Sequence, residues 1–474
     1  MFLERGVFNN RMNSLLGYLG VNELLGLFFF VLGCMSVNLE IKRENLVSYC
    51  SILFVYYVVI FFYRESNGML YYSGEFDLQE GTLFLLEHAL IFFMLIYLGT
   101  MYFDEEKELC RIESVVLFFI LLGSVVVMYS CVNFVNYVLC YELISFIYFY
   151  FISSNNRDIR NIESVVRYYI FSVLTVISLF CSVLCFYIVF GTSDFFVLVE
   201  LMLVGLVVSE LKIGLLFRIV NLLLFLSFMF KMYLIPFHSW VVNVYDTCKR
   251  GSLVIISSVF PLIYVIIFLK MYFYFFSLFV FFKKLIFFIV GSITFVIGSI
   301  RLLNQIRLRR LLVYSTMSSF GSLFFFFSIA EGNMGVFFYE YVFNYVVNVL
   351  IIMCIILGGR TDKKREIETM LDLVGLSKES PSLSVVLSLS IFSLGGIPPF
   401  IGFYFKLIVS FTVLYFYELL SVILYMVVSL FLFFSYIRII RFFFFETVRS
   451  IIFSFNNTML VYVLFLFSLF NQVI

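Results

Sequence analysis

Long apolar runs separated by short polar loops dominate the pattern of this chain. Most runs approach the roughly 20 residues that an α-helix needs to cross a membrane. They predict an all-α, polytopic membrane protein with about fourteen transmembrane helices. The predicted spans are 23–37, 46–63, 81–103, 114–130, 131–152, 164–191, 216–237, 252–270, 284–301, 311–330, 336–358, 383–414, 419–437 and 457–473. The apolar run 195–208 is short and contains Glu200, so we interpret it as an interfacial helix.

Basic residues are concentrated in the loops that follow odd-numbered spans, as in the loop 359–381 and the segment 301–310. The opposite loops are mostly acidic, apart from Lys283 and Lys284. The positive-inside rule places the basic loops on the matrix or cytoplasmic side. Because the number of predicted spans is even, we expect both termini on the other side.

Two of these spans are interrupted beside a lysine. Lys231 lies inside the seventh span, and Pro236, which follows it, removes a backbone donor and breaks the helix. A lysine at membrane depth costs roughly 2.5 kcal/mol or more and is usually functional. A broken helix at this depth is tolerated only where it is buried in protein or lines a water-filled cavity. We therefore interpret this stretch as part of an ion path.

The segment 393–406, SLGGIPPFIGFYFK, repeats the arrangement in the twelfth span, where glycines and prolines precede Lys406. Two interrupted helices in corresponding positions of two halves favour an inverted-repeat transporter. The alternative is a kinked helix whose lysine reaches the membrane surface. It fits poorly because apolar residues continue to Tyr415.

Glu142 lies near the middle of the fifth span, where a carboxylate is expected to pair with a cation or to stay protonated. A purely structural acid is the alternative. The segment 309–321, RRLLVYSTMSSFG, has two possible interpretations. Its hydroxyls line a water-filled path, or its arginines only set the orientation of the helix in the membrane. Asn344 and Asn348 either line the same path or hold helices together.

The composition of the chain limits the possible classes of function but identifies no site. The chain is 63% hydrophobic and 13% charged with a net charge of +1, so nothing favours nucleic-acid binding. Its 67 phenylalanines and 32 tyrosines, with only Ala89 and Ala330 for alanine, suggest an AT-rich organelle genome. We see no cleavable signal or transit peptide, which fits synthesis inside the organelle.

Cysteine and histidine give no sign of a redox or metal site. The nine cysteines form no CxxC motif, and we expect buried structural thiols. His88 and His238 cannot provide the paired ligation of a membrane haem. Trp240 and His238, where the seventh span meets the interface, are predicted to anchor the chain there, and proton transfer is the alternative.

Several motifs occur together in a specific order: YELISF, ESVVRYYIFS, FKMYLIPFHSWVVNVYD, RRLLVYSTMSSFG, LGGIPPFIGFYFK and SYIRII. In this order they resemble the antiporter-like membrane subunits of respiratory complex I, over roughly 75–445. Within that family, Tyr245 and Asp246 favour the subunit 2 branch over the subunit 4 and 5 branches, which carry a further histidine there.

The resemblance implies two inverted five-helix repeats, each with a broken helix, and proton translocation without a redox centre in this chain. It assigns that translocation to Glu142 and Lys231 as a coupled pair and to Lys406 in the other half-channel. Two positions depart from the family: Pro261 replaces a lysine of the eighth span, and Ser319 replaces a histidine of the tenth. The proton route through the centre of the subunit must therefore use water, hydroxyls or another residue.

The implied protein is a subunit of NADH:ubiquinone oxidoreductase in the mitochondrial inner membrane. Flavin, iron–sulfur clusters and ubiquinone are expected in other subunits, and neighbouring antiporter-like subunits and lipids are the expected partners. A subunit of a multi-subunit cation/proton antiporter and a structural subunit without pumping are the alternatives. Glu87 and His88, apolar in the family, are expected to pair structurally with Lys270 or Lys283.

We divide the chain accordingly, with no linker between domains. The divisions are N-terminal spans at 1–113, a first repeat at 114–270, a second repeat at 284–437, and a C-terminal loop and last span at 438–474.

Overall fold

The fold was analysed in a computed structural model. It describes residues 112–131, 133–153, 159–207, 211–276, 283–328, 335–360, 367–398, 400–416, 419–445 and 454–455. The predicted spans 23–37, 46–63, 81–103 and 457–473 lie outside these residues, as do Glu87 and His88.

The first group of helices covers the fourth to eighth predicted spans. They are α1 (Ile112–Ser130), α2 (Phe134–Ser153), α3 (Ile159–Phe190), α4 (Phe195–Val207), α5 (Leu211–Lys231), α6 (Ser239–Thr247) and α7 (Arg250–Tyr274). α4 has 13 residues, about 20 Å of helix, which is too short to cross a hydrocarbon core of about 30 Å. The prediction of a separate short helix at 195–208 is confirmed.

The second group covers the ninth to thirteenth predicted spans. A π-helical turn at Lys283–Phe287 leads into α8 (Phe288–Asn304), followed by α9 (Leu308–Phe327), α10 (Gly335–Gly358), α11 (Leu376–Glu379), α12 (Pro381–Gly395), α13 (Ile401–Phe416) and α14 (Leu419–Phe444). A 3₁₀ turn at Met370–Leu373 precedes α11. Two short strands, β1 (Gly359–Arg360) and β2 (Ser454–Phe455), pair in antiparallel.

Helix order in the two groups is the same. Leaving the short α4 and α11 aside, each group has five span-length members, and in each the fourth is interrupted: α5–α6 in the first and α12–α13 in the second. Because five is odd, the second set starts from the opposite side of the membrane. The predicted all-α fold with two inverted sets and two broken helices is confirmed, while the exact domain boundaries stay predictions.

Five helical segments in the described part of the chain are long and apolar enough to cross a membrane. These are Phe134–Ser153, Ile159–Phe190, Arg250–Tyr274, Lys284–Asn304 and Ser421–Phe444. The third of them, within α7, is buried along its whole apolar window and packs against α10 of the other set. A helix that is apolar on every side belongs in the interior. α7 is therefore the central helix of the described fold, and Pro261 lies inside it without ending it.

α8 and α9 approach each other closely through glycines. A Cβ added at Gly321 would lie 2.5 Å from the backbone nitrogen of Phe295, and one at Gly291 would lie 2.5 Å from that of Phe325. Small residues at such contacts allow membrane helices to pack backbone against backbone.

Arg438 of α14 stabilises the other end of α8. Its guanidinium donates hydrogen bonds to the carbonyl oxygens of Leu302, Leu303 and Gln305. These carbonyls end or follow the helix, where few backbone donors remain, although that of Leu302 also accepts from the Gln305 N–H at 3.3 Å. A cation there also complements the helix dipole.

Candidate functional site

Lys231 is the last residue of α5, where the helix is interrupted as the sequence predicts. The chain is non-helical until α6 begins at Ser239, and Pro236 lies inside this interruption. Tyr233 adopts a left-handed backbone conformation there, with φ of 59°. Such a conformation is strained for a bulky residue and persists only when the surrounding packing enforces it. The break is therefore a built feature of the fold.

The ammonium of Lys231 is held by neutral aromatic groups. Its side chain is 1% exposed, and Nζ donates a hydrogen bond of 2.8 Å to the hydroxyl of Tyr168 on α3. Nζ also lies 5.0 Å from the ring centroid of Tyr168 and 5.5 Å from those of Tyr141 and Tyr264. Cations at this distance from aromatic faces are stabilised electrostatically. Within the described part of the chain, no carboxylate forms an ion pair with Lys231.

Glu142 lies at the predicted depth but does not form an ion pair with Lys231 within the described residues. It is half-buried, beside the exposed side chains of Leu139 and Leu143, whereas its neighbour Tyr141 faces Lys231. Consecutive helical residues point about 100° apart, so the two cannot share a face. The coupled pair implied by the resemblance is thus not in direct contact, and the role of Glu142 stays a prediction.

Lys406 closes the second interruption. From α13 its Nζ donates a hydrogen bond of 2.5 Å to the carbonyl oxygen of Gly395, the last residue of α12. Gly396 has φ of 72°, and a Cβ there would lie 2.9 Å from the Lys406 Nζ. The ammonium therefore occupies the end of α12, where carbonyls lack partners and a positive charge is favourable. Its role in transport stays a prediction.

The hydroxyls of the predicted wet path lie in the interior of α9. All are buried, and each donates to the carbonyl three residues earlier: Ser315, Thr316, Ser318, Ser319 and Ser322. The Ser315 hydroxyl also shares a 2.7 Å hydrogen bond with the hydroxyl of Tyr345 on α10. In α10 itself, the Asn348 amide donates to the carbonyl of Asn344 at 2.8 Å. α9 and α10 thus carry a polar seam inside an apolar core.

Among the described residues, Lys270 bonds to backbone carbonyls at the end of α1. Its Nζ donates to the carbonyl oxygens of Met128 at 2.8 Å and Cys131 at 2.7 Å, and so stabilises the end of α1. Backbone carbonyls carry no sequence signal, which is why the contact could not be predicted. The predicted pairing with Glu87 and His88 falls on residues outside the described part.

Two further side chains connect α6 to its surroundings. Asp246, at the end of the YD motif, forms ion pairs with Arg310 and, at 3.6 Å, with Arg307. Trp240 is 1% exposed and its ring lies 4.7 Å from that of Phe230. The prediction that Trp240 anchors the chain at the membrane interface is wrong, because the indole packs inside the protein.

Comparison with known proteins was made at three levels. Residues 131–434 match the protein family described as NADH:quinone oxidoreductase/Mrp antiporter, transmembrane. NADH-ubiquinone oxidoreductase chain 2 of Marchantia polymorpha is 28% identical over 328 residues, covering 66% of this chain and 63% of that one. NADH-quinone oxidoreductase subunit N of Pelagibacter ubique is 28% identical over 268 residues, covering 56% of this chain and 55% of the relative. The chain thus matches less than two thirds of the length of these two relatives.

Solved structures share the fold. A chain of respiratory complex I from Thermus thermophilus superimposes with a TM-score of 0.73 at 15% identity, covering 94% of this chain and 95% of that one. A chain of the Mrp complex from a Dietzia species gives a TM-score of 0.64 at 18% identity, covering 77% and 67%. These likenesses support the fold, and the names of the sequence relatives confirm the predicted resemblance.

Proposed function

Because this chain belongs to the NADH:quinone oxidoreductase/Mrp antiporter family, we propose that it is a proton-translocating membrane subunit of an NADH:ubiquinone oxidoreductase. The observation that carries the proposal is the fully buried Lys231 at the break between α5 and α6. Protons move through the buried Lys231 and the half-buried Lys406 and Glu142. The flavin, iron–sulfur clusters and ubiquinone belong to other subunits of the complex, and neighbouring antiporter-like subunits and lipids are its partners.

The surroundings of Lys231 suit a residue that changes charge. Burial disfavours the ammonium form, whereas the Tyr168 oxygen and the aromatic faces favour it. A fixed carboxylate at contact distance would hold the proton permanently. With the neutral partners that the described residues supply, the two forms lie closer in free energy, and a change of field from a neighbouring subunit moves the balance between them.

We place this subunit in the mitochondrial inner membrane as a multi-pass protein. The composition supports this, because phenylalanine and tyrosine are abundant while alanine is nearly absent. One relative that is 28% identical to this chain is an NADH-ubiquinone oxidoreductase chain. Organelle encoding follows from the same compositional argument.

A cation/proton antiporter subunit is the second candidate, favoured by the family description and by the fold shared with an Mrp complex. Purification of the native assembly decides between the two. Flavin and iron–sulfur clusters in a preparation that contains this chain exclude a stand-alone antiporter. Their absence from an intact preparation excludes complex I.

Two substitutions of Lys231 test the proposed function. Lys231→Met keeps a flexible stem and removes the charge, so the helix still inserts. Lys231→Arg keeps a charge, but guanidinium does not release its proton. We expect both variants to assemble and to lose at least about tenfold in NADH-driven proton transport in reconstituted vesicles, since a tenfold loss is about 1.4 kcal/mol of barrier.

Lys378→Met is the matched control, because Lys378 is an exposed lysine of α11. It should transport protons at the rate of the unmodified chain. A structural Lys231 predicts a different order, with arginine tolerated and methionine disruptive. Full transport by the Lys231→Arg variant would overturn the carrier role, and so would full transport by Lys231→Met.

A further inference from the structure

Four fully buried tyrosines lie on separate elements around the Lys231 site. Tyr148 comes from α2, Tyr233 from the break, Tyr245 from α6 and Tyr264 from α7, and each is at most 1% exposed. The rings of Tyr148 and Tyr233 lie 5.8 and 5.6 Å from that of Trp240, and the rings of Tyr148 and Tyr264 lie 6.3 Å apart. We call Tyr148, Tyr233, Tyr245 and Tyr264 the tyrosine cluster.

The hydroxyls of the tyrosine cluster have unused hydrogen-bonding capacity. None of the four makes a hydrogen bond within the described residues, nor does the indole N–H of Trp240. A buried hydroxyl without a partner costs about 1–3 kcal/mol, so native proteins satisfy such groups, often with ordered water. Five such groups in one place supply the two to four polar partners that a buried water needs.

One side of the tyrosine cluster adjoins the Lys231 site. The Tyr148 ring lies 4.9 Å from that of Tyr168, whose hydroxyl accepts the Lys231 hydrogen bond. The rings of Tyr168 and Tyr264 both face the Lys231 Nζ, at 5.0 and 5.5 Å from their centroids. A proton leaving the ammonium of Lys231 therefore has hydroxyl oxygens to follow.

The other side of the tyrosine cluster adjoins the second helix set. The ring of Tyr233 lies 5.8 Å from that of Phe320 on α9, and α6, which carries Tyr245, packs against α9. Tyr345 shares its hydrogen bond of 2.7 Å with Ser315 of α9. The tyrosine cluster thus adjoins α9, which carries the polar seam of the other set.

We infer that the tyrosine cluster and water molecules bound to its hydroxyls relay protons between Lys231 and the seam of α9 and α10. This inference rests on the proposed function of the chain. The relay needs no charged side chain at Pro261 or Ser319 and supplies the central part of the route with neutral groups.

The chemistry of each step is balanced. The Tyr168 hydroxyl, which donates to the Ser145 carbonyl oxygen at 3.3 Å, first turns toward the next oxygen in line. The Lys231 ammonium then gives a proton to the Tyr168 oxygen as that hydroxyl releases its own proton to this oxygen. Each following hydroxyl or water does the same, so one O–H bond forms at every oxygen as another breaks. One proton leaves at Ser315 and Tyr345 for each that enters at Tyr168, and no redox reagent is required.

Tyrosine-to-phenylalanine variants test the relay in the assembled, reconstituted complex. Tyr233→Phe, Tyr245→Phe and Tyr264→Phe each remove one oxygen from the line and keep the ring. We expect assembly to be normal and NADH-driven proton transport to fall about three- to tenfold, which is about 0.7–1.4 kcal/mol of barrier. The solvent deuterium isotope effect on transport should rise as proton transfer becomes more limiting, an effect that a packing defect would not produce.

Tyr425→Phe is the control. Tyr425 is equally buried and its hydroxyl also lacks a bond within the described residues, but its ring stacks on Phe295 and Phe325, outside the tyrosine cluster. Its transport rate and isotope effect should not change. Unchanged transport in the assembled cluster variants, or an equal loss in the control, overturns the relay.

The Lys231→Met variant is measured in parallel to separate the two levels of the argument. If it pumps normally, the proposed function fails. If it loses transport while the three cluster variants keep theirs, only the relay fails and the route of the proton lies elsewhere.

Discussion

The close contact between α8 and α9 predicts that Gly321→Ala destabilises the protein. The new Cβ would lie 2.5 Å from the backbone nitrogen of Phe295, 2.6 Å from the hydroxyl oxygen of Thr294 and 2.9 Å from the Phe295 Cα. Ordinary contacts between such atoms are about 3.5–4.0 Å, so the helices must move apart by roughly 1 Å along this line. Two of the three opposing atoms belong to the backbone and cannot rotate away.

The expected loss follows from two opposing terms. Overpacking of a closely packed core costs about 1–3 kcal/mol. The change from glycine to alanine inside a helix returns about 0.5–1 kcal/mol. The difference is a net destabilisation of about 0–2.5 kcal/mol, and we expect a value of about 1 kcal/mol. It should appear as a lower temperature at which this subunit separates from the purified complex on native gels.

Gly123→Ala in α1 is the matched control, because a Cβ at that position meets no described atom within 4 Å. It should leave the transition unchanged or raise it. Combining Gly321→Ala with Thr294→Ala should not restore stability, since the Phe295 backbone remains in place. A Gly321→Ala complex as stable as the unmodified one would refute this account of the α8–α9 contact.

The remaining predictions concern three other contacts or positions. Lys406→Met should lower the stability of the complex by about 1.5–3 kcal/mol, because the charged hydrogen bond to Gly395 is lost, and it should also lower proton transport in vesicles. Unchanged stability would contradict the contact. Lys270→Met should lower the stability of the complex by about 1–3 kcal/mol, yet leave the transport rate per assembled complex unchanged; lost transport with full stability would give Lys270 a role in the proton path. Cysteines introduced at Lys378 and Arg307 should react with an impermeant maleimide from the matrix side only; labelling from the opposite side would show that a span was miscounted.

The helix interruptions could be predicted from the sequence because they depend on local backbone chemistry. Pro236 cannot continue the α5 hydrogen-bond ladder, and the glycines and prolines after α12 act in the same way. The structure ends α5 at Lys231 and α12 at Gly395, beside the residues that indicated the breaks. Where a break and a lysine coincide, the sequence alone identifies the position of the site.

The direction in which a buried side chain points could not be predicted. Apolar runs such as α2 and α7 have no polar face that would reveal which side meets the core. The depth of Glu142 was therefore predicted, but not its position beside the exposed Leu139 and Leu143. Trp240 was misplaced at the membrane interface for the same reason. The contacts of Lys270 and Arg438 could not be predicted, because the described partners of both side chains are backbone carbonyls.

The burial of Trp240 also makes this site observable by fluorescence. It is the single tryptophan of the chain, and its ring lies 5.6 Å from Tyr233 and 5.1 Å from Tyr168. Subtracting the emission of the Trp240→Phe complex from that of the unmodified complex therefore leaves the signal of this one indole in the interior of the subunit. Indole emission shifts to longer wavelength as water enters its surroundings, so the wavelength of that difference spectrum reports hydration beside Lys231 while the complex turns over.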